Sequence, residues 1–137
     1  MISVWLLILL VYSASGLIHH QPNQLRFFRT ALKMSTSGSY HLHVKLVPNP
    51  KRAAEFIACI QNNQKCTLDK SKEPGCMIYK WGESTTEPGV YYFTEQYESE
   101  EAFLHHTQQP HFAEWEKYAG SDNAFVSEPE VSFWREM

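Results

Sequence analysis

From residue 39 onward the chain switches between two hydrophobic periods. Ser39 to Val47 steps in twos, with Tyr40, Leu42, Val44 and Leu46 on one face and His41, His43 and Lys45 on the other. That is the period of a strand with one buried side. In Pro48-Asn49-Pro50, Asn49 suits a helix N-cap and Pro50 the first helical position. Ala53, Phe56, Ile57 and Ile60 then recur at helical spacing, which predicts a helix over about 50–70, stopped by the turn Glu73-Pro74-Gly75. Cys76 to Trp81 reads as a second strand with Met77, Tyr79 and Trp81 on one face. Thr85 to Gly89 is a hairpin turn, and Val90 to Tyr97 is a third strand rich in aromatic and β-branched residues. Ser99 caps a second helix whose first turn carries Glu100 and Glu101, favourable at the positive end of the helix dipole. Pro110 starts a short third helix with a stripe of Phe112, Trp115 and Ala119, ended by Gly120. Val131 and Phe133 alternate in a last strand.

Strand, helix, strand, strand, broken helix, strand is the order of a ferredoxin-like α+β unit, one antiparallel sheet with helices on one face. The other face is then bare. Tyr91, Phe93 and Tyr97 lie on one side of the third strand and Tyr92 on the opposite side. A second copy over the open face answers this, so a homodimer is expected.

The 137-residue chain is long enough for one domain, and its front differs from the rest. Residues 1–38 carry Arg26, Arg29 and Lys33 and no acid, while residues 39–137 have a net charge of −6. Ile2 to Tyr12 is apolar and is followed by Ser13-Ala14-Ser15-Gly16. It is too short to span a bilayer and fits a signal peptide over 1–16, with a buried strand or helix as the alternative. Residues 17–38 are hydroxylated, basic and free of acid, like a transit peptide, or a disordered linker on a secreted protein. Together they resemble the bipartite presequence of algae whose plastids came from a eukaryotic endosymbiont. The expectation is a plastid protein, with secretion as the alternative, and a mature domain over 39–137 without a membrane segment. The overall charge of −3 argues against nucleic acid as a partner. Three cysteines with no C-x-x-C pair make no disulfide framework, and Cys59, Cys66 and Cys76 read as inert thiols. No Gly-rich phosphate loop, H-E-x-x-H or G-x-S-x-G occurs, so nucleotide cofactors and serine nucleophiles have no support.

His106 shares the inward face of Phe103 and Ala102, whereas His105 points elsewhere. An imidazole, with its reference pKa near 6.5, can serve as a base near neutral pH. The plain alternative is a core histidine satisfied by a backbone carbonyl. His111 opens the third helix and either faces the same interior or meets only water. His41 and His43 form an H-x-H pair that can hold zinc if a third ligand arrives, and otherwise read as surface or interface histidines. Glu95 is in phase with Tyr91, Phe93 and Tyr97, where burial raises a carboxylate pKa. It either orients a histidine or takes a proton, or bonds across a dimer face. Asn63 interrupts the apolar stripe of Phe56 and Ile60; it either bonds a substrate oxygen or sits in a fraying last turn.

Three segments, in order, resemble the antibiotic biosynthesis monooxygenase (ABM) family, which includes quinol monooxygenases. They are Glu73-Pro74-Gly75-Cys76, then Phe93 to Phe103 leading to His106, then Pro110-His111-Phe112. The likeness covers most of 39–137 and implies a ferredoxin-like, dimeric α/β-barrel fold. It also implies oxygenation of a quinol or phenol by dioxygen without metal, haem or flavin. His106 and His111 match the family's motif histidines and Glu95 its strand glutamate; these are the expected catalytic residues. Asn63, Tyr79, Tyr97, Phe112 and Trp115 are the expected substrate-binding residues. Tyr97 stands where the family commonly has tryptophan. Ala113 to Lys117 lacks the proximal histidine of the family's haem degraders. The expected function is a cofactor-independent monooxygenase of a small molecule. The alternatives are an isomerase or lyase of a small oxygenated metabolite and a non-catalytic dimeric binding or stress module.

Overall fold

A computed structural model describes residues 38–137. The leader expected over 1–16 and most of the transit-like segment over 17–38 lie outside the described residues. Strand β1 spans Tyr40–Leu46, and a 3-10 turn, Pro50–Arg52, leads into helix α1, Ala53–Thr67. Strands β2 (Cys76–Glu83) and β3 (Tyr91–Tyr97) follow, then helices α2 (Glu100–Thr107) and α3 (Pro110–Ala119) and strand β4 (Glu130–Arg135). The sheet order is β2-β3-β1-β4 with every neighbouring pair antiparallel, which is the ferredoxin-like arrangement expected; the sheet is not closed. Among the described residues no helix is long and apolar enough to cross a membrane.

The local chemistry follows the sequence at most boundaries. Asn49 Oδ1 accepts from the backbone N–H of Lys51, and Ser99 Oγ accepts from that of Ala102. These bonds satisfy N–H groups that a helix start otherwise leaves open. The first helix is shorter than expected. Its opening turn is 3-10 and it ends at Thr67, where the chain turns on Asp69. Asp69 Oδ1 accepts from the backbone N–H and the hydroxyl of Ser71, and its carbonyl accepts from the N–H groups of Lys72 and Glu73.

One strand assignment is corrected. Cys76 pairs with Tyr97, but the next paired residue is Ile78, opposite Gln96. Met77 is the extra residue of a bulge and is exposed, while Cys76 and Tyr79 are buried. A bulge inserts one residue and shifts the alternation, which strict two-residue periodicity cannot show.

The helices cover the face formed by Leu42 and Leu46 of β1, Tyr79 of β2, and Tyr91, Phe93, Glu95 and Tyr97 of β3, all buried. Phe56, fully buried in α1, touches the rings of Trp81, Tyr91, Phe93, Trp115 and Tyr118. A second aromatic group, built on Tyr40, Tyr97, Phe103 and Phe133, fills the other end of the layer. On the opposite face no helix of the described residues packs. There His41 stacks on Trp134 at 3.7 Å between centroids, His43 meets the same indole edge-on, and Tyr92 and Trp134 are about half exposed.

Candidate active site

The turn after α1 delivers Glu73 into the interior, where its side chain is 1% exposed. Its carboxylate is shared by two histidines. His106 Nδ1, from α2, lies 2.9 and 3.0 Å from the two carboxylate oxygens, and His111 Nε2, from the first turn of α3, bonds Oε1. With the carboxylate as acceptor, each imidazole donates its N–H. This is a stronger bond than a backbone carbonyl offers, because the acceptor is ionisable. Thr67 Oγ1, at 3.5 Å from His106 Nδ1, donates to the carbonyl of Asn63 at 2.7 Å and so closes the cluster against α1.

The His106 ring lies among aromatics, with Phe112 at 5.0 Å, Tyr97 at 5.5 Å and Tyr79 at 6.2 Å between centroids. Among the described residues no group hydrogen-bonds its Nε2. On the sheet beneath, Glu95 sits between Leu42 and Tyr79 in register, buried, and accepts the Tyr97 hydroxyl at 2.7 Å. Burial raises its pKa, only partly offset by the nearby His106 imidazole and the Tyr97 hydrogen bond. Burial, with the neighbouring Glu95 charge, also holds the phenols of Tyr79 and Tyr97 well above their usual range. Asn63 Nδ2 donates to the Tyr79 hydroxyl at 2.9 Å, but Asn63 Oδ1, buried in the same place, has no partner among the described residues. A buried unpaired acceptor costs roughly 1–3 kcal/mol and marks a place for a donor.

The expected site residues therefore divide. His106, His111, Glu95, Asn63, Tyr79, Tyr97 and Phe112 come together between the helices and the sheet. Asn63 is no fraying residue, since α1 runs on to Thr67. Glu95 points at the helices rather than out of the open face. Trp115 is buried in the other aromatic group, against Phe56, Tyr118 and Phe125. His41, bonded to Ser39 Oγ at 2.7 Å, and His43 lie on the open sheet face, away from this cluster. Cys59 and Cys66 are half-buried, and burial with the charges of Glu73 and Glu95 pushes the Cys76 thiol up to about 12, so it is protonated at neutral pH. Sequence reasoning missed Glu73, which it treated as a turn residue. The signal was its place in the Glu73-Pro74-Gly75-Cys76 motif.

Comparison with known proteins agrees with the fold. None of the curated proteins compared with the chain matches it. Among solved structures, a Caulobacter crescentus protein described provisionally as an antibiotic biosynthesis monooxygenase is similar, with 28% identity and a TM-score of 0.64 over 74% of this chain and 92% of that one. A conserved Methanosarcina mazei protein shares the fold at 20% identity and a TM-score of 0.63, over 74% of this chain and 95% of its own. A Nitrosomonas europaea protein, also described provisionally as an antibiotic biosynthesis monooxygenase, does so at 15% identity and a TM-score of 0.62, over 72% and 90%. Residues 39–118 match the model of the antibiotic biosynthesis monooxygenase family, and the chain belongs to that family.

Proposed function

We propose that this protein is a monooxygenase that uses dioxygen on an electron-rich phenol or quinol without a bound cofactor. The observation that carries the reading is the buried His106 imidazole, its Nδ1 held by Glu73 and its ring walled by aromatics. A carboxylate on Nδ1 selects the tautomer whose Nε2 is free to take a proton. Asn63 Oδ1 then accepts a substrate hydroxyl, and the Tyr79 hydroxyl, which keeps a hydrogen to donate, faces the developing oxyanion. The pKa shift on Glu95 leaves it protonated further up the pH scale than an ordinary carboxylate.

The chemistry closes without an external reductant. His106 removes the hydroxyl proton, and the resulting anion passes one electron to dioxygen. Radical recombination at carbon forms a peroxide, and loss of water from it converts a ring CH2 tautomer to C=O. One oxygen atom ends in the product and one in water, and all electrons come from the substrate. A homodimer through the open sheet face belongs to the same proposal, supported by the half-exposed Tyr92 and Trp134 on a face that no helix of the described residues covers. So does import into a plastid, supported by the acid-free composition of residues 1–38.

The test is dioxygen uptake by the purified chain over a panel of quinols and polyphenols with chelator present. Uptake is expected, falling roughly 100-fold or more in His106→Ala. A folded parent that consumes no dioxygen across the panel, or a His106→Ala variant as active as the parent, overturns it.

A further inference from the structure

The Glu73, His106 and His111 cluster offers a second kind of chemistry. Their ligand atoms, one carboxylate oxygen and two imidazole nitrogens, all lie within 4.8 Å of one another and all three residues are buried. Two imidazoles and a carboxylate, drawn from α2, α3 and the turn after α1, form the donor set that takes Zn2+ or another borderline first-row cation. We propose that this cluster is a binding site for one divalent transition-metal ion of the zinc class.

Three features support it. A tetrahedral ion with bonds of about 2.1 Å holds its donors roughly 3.4 Å apart, so the 2.9 and 3.0 Å separations at His106 need widen only slightly. Binding exchanges the two imidazole protons in the hydrogen bonds for the ion, so it draws on groups already aimed at one point. Glu73 also stands at the edge of the solvent-facing layer. A surface hollow of about 410 Å3 borders Glu73 and is lined by Lys72, Cys76, Glu98, Glu101 and His105. Three protein ligands leave a fourth position open to water or a further oxygen, and Thr67 Oγ1 lies 3.5 Å from His106 Nδ1.

The site shares His106 with the proposed oxygenase, and an ion on Nδ1 leaves the proton on Nε2. Metal and base catalysis thus exclude each other at this imidazole, and the ion acts as an off-switch. That last step rests on the proposed function, whereas the binding site does not.

The experiment is equilibrium dialysis of the purified full chain against zinc, with metal and protein quantified, and a parallel cobalt titration followed by absorption. One equivalent per chain is expected, with the intense visible bands of a four-coordinate cobalt centre. The dissociation constant should weaken about 100-fold or more in His111→Gln and in Glu73→Gln, variants chosen to keep size and hydrogen bonding. It should be unchanged in a His41→Ala/His43→Ala pair and in a His19→Ala/His20→Ala pair, the latter two being the adjacent histidines of the acid-free segment 1–38. Circular dichroism confirms folding, and a His106→Gln variant serves if either of the first two fails. Stoichiometric binding untouched by Glu73, His106 and His111, or lost with the His41 or His19 pairs, overturns the proposal, as does binding well below one equivalent. No turnover is read, so absent binding leaves the oxygenase reading standing and absent dioxygen uptake leaves the metal site standing.

Discussion

Removing the Glu73 carboxylate should cost more than its place in a surface turn suggests. It is 1% exposed and accepts from both His106 and His111. In Glu73→Ala two buried imidazole N–H groups lose their acceptor. At roughly 1–3 kcal/mol each this gives about 2–6 kcal/mol. Thr67 Oγ1 at 3.5 Å from His106 Nδ1 offers weak relief to one of them, so about 3–4 kcal/mol is the working figure. A domain of this size has only some 5–15 kcal/mol in total, so the variant sits near its unfolding threshold. Glu73→Gln keeps the volume and one acceptor oxygen and should cost about 1–2 kcal/mol. Urea unfolding followed by tryptophan fluorescence and far-ultraviolet circular dichroism measures both. In a background where His106→Phe and His111→Phe have removed the donors, Glu73→Leu should cost under about 1 kcal/mol. If Glu73→Ala and Glu73→Gln prove equal within about 0.5 kcal/mol, the carboxylate is not holding the two histidines and the account of the site fails.

Two further outcomes follow from the same geometry. Burial raises the pKa of Glu95, so the folded chain binds that proton more tightly than the unfolded chain. The associated stability is fully present below the unfolded pKa and is lost as pH rises through the folded one. Glu95→Gln, which keeps an acceptor for Tyr97, should therefore gain on the parent steadily from about pH 4 upward in urea midpoints; parallel pH curves for the two proteins would contradict this. At Gly75 an added Cβ would stand 2.5 Å from the Ala102 Cβ of α2. Gly75→Ala should cost about 1–3 kcal/mol and recover most of it when combined with Ala102→Gly; a second substitution that restores nothing would show that the clash is not the cause.

The parts of this fold legible in the sequence are those set by neighbours along the chain. Alternation from Tyr40 to Leu46 places a strand and its faces, and Ser99 and Pro110 place two helix starts, because each signal acts within a few residues. The bulge at Met77 was hidden because nothing in Cys76-Met77-Ile78 departs from a strand pattern; the irregularity is a property of pairing with β3. The site is harder for the same reason. Periodicity correctly turns His106, Asn63 and Glu95 inward, but it says which side a residue faces and not what meets it there. The carboxylate that meets His106 and His111 lies 33 and 38 residues earlier, in a turn that Asp69 folds back beneath the helices. In a turn, an acidic residue is ordinarily solvated, and composition gives no reason to think otherwise. What brings Glu73 inside is the crossover itself. β1 and β2 flank β3, so the chain must cross the sheet on α1 and re-enter at β2, and the turn that ends this crossing lies against the α2–α3 junction. The centre of the site is thus a consequence of topology, and it becomes readable only once strand order is known.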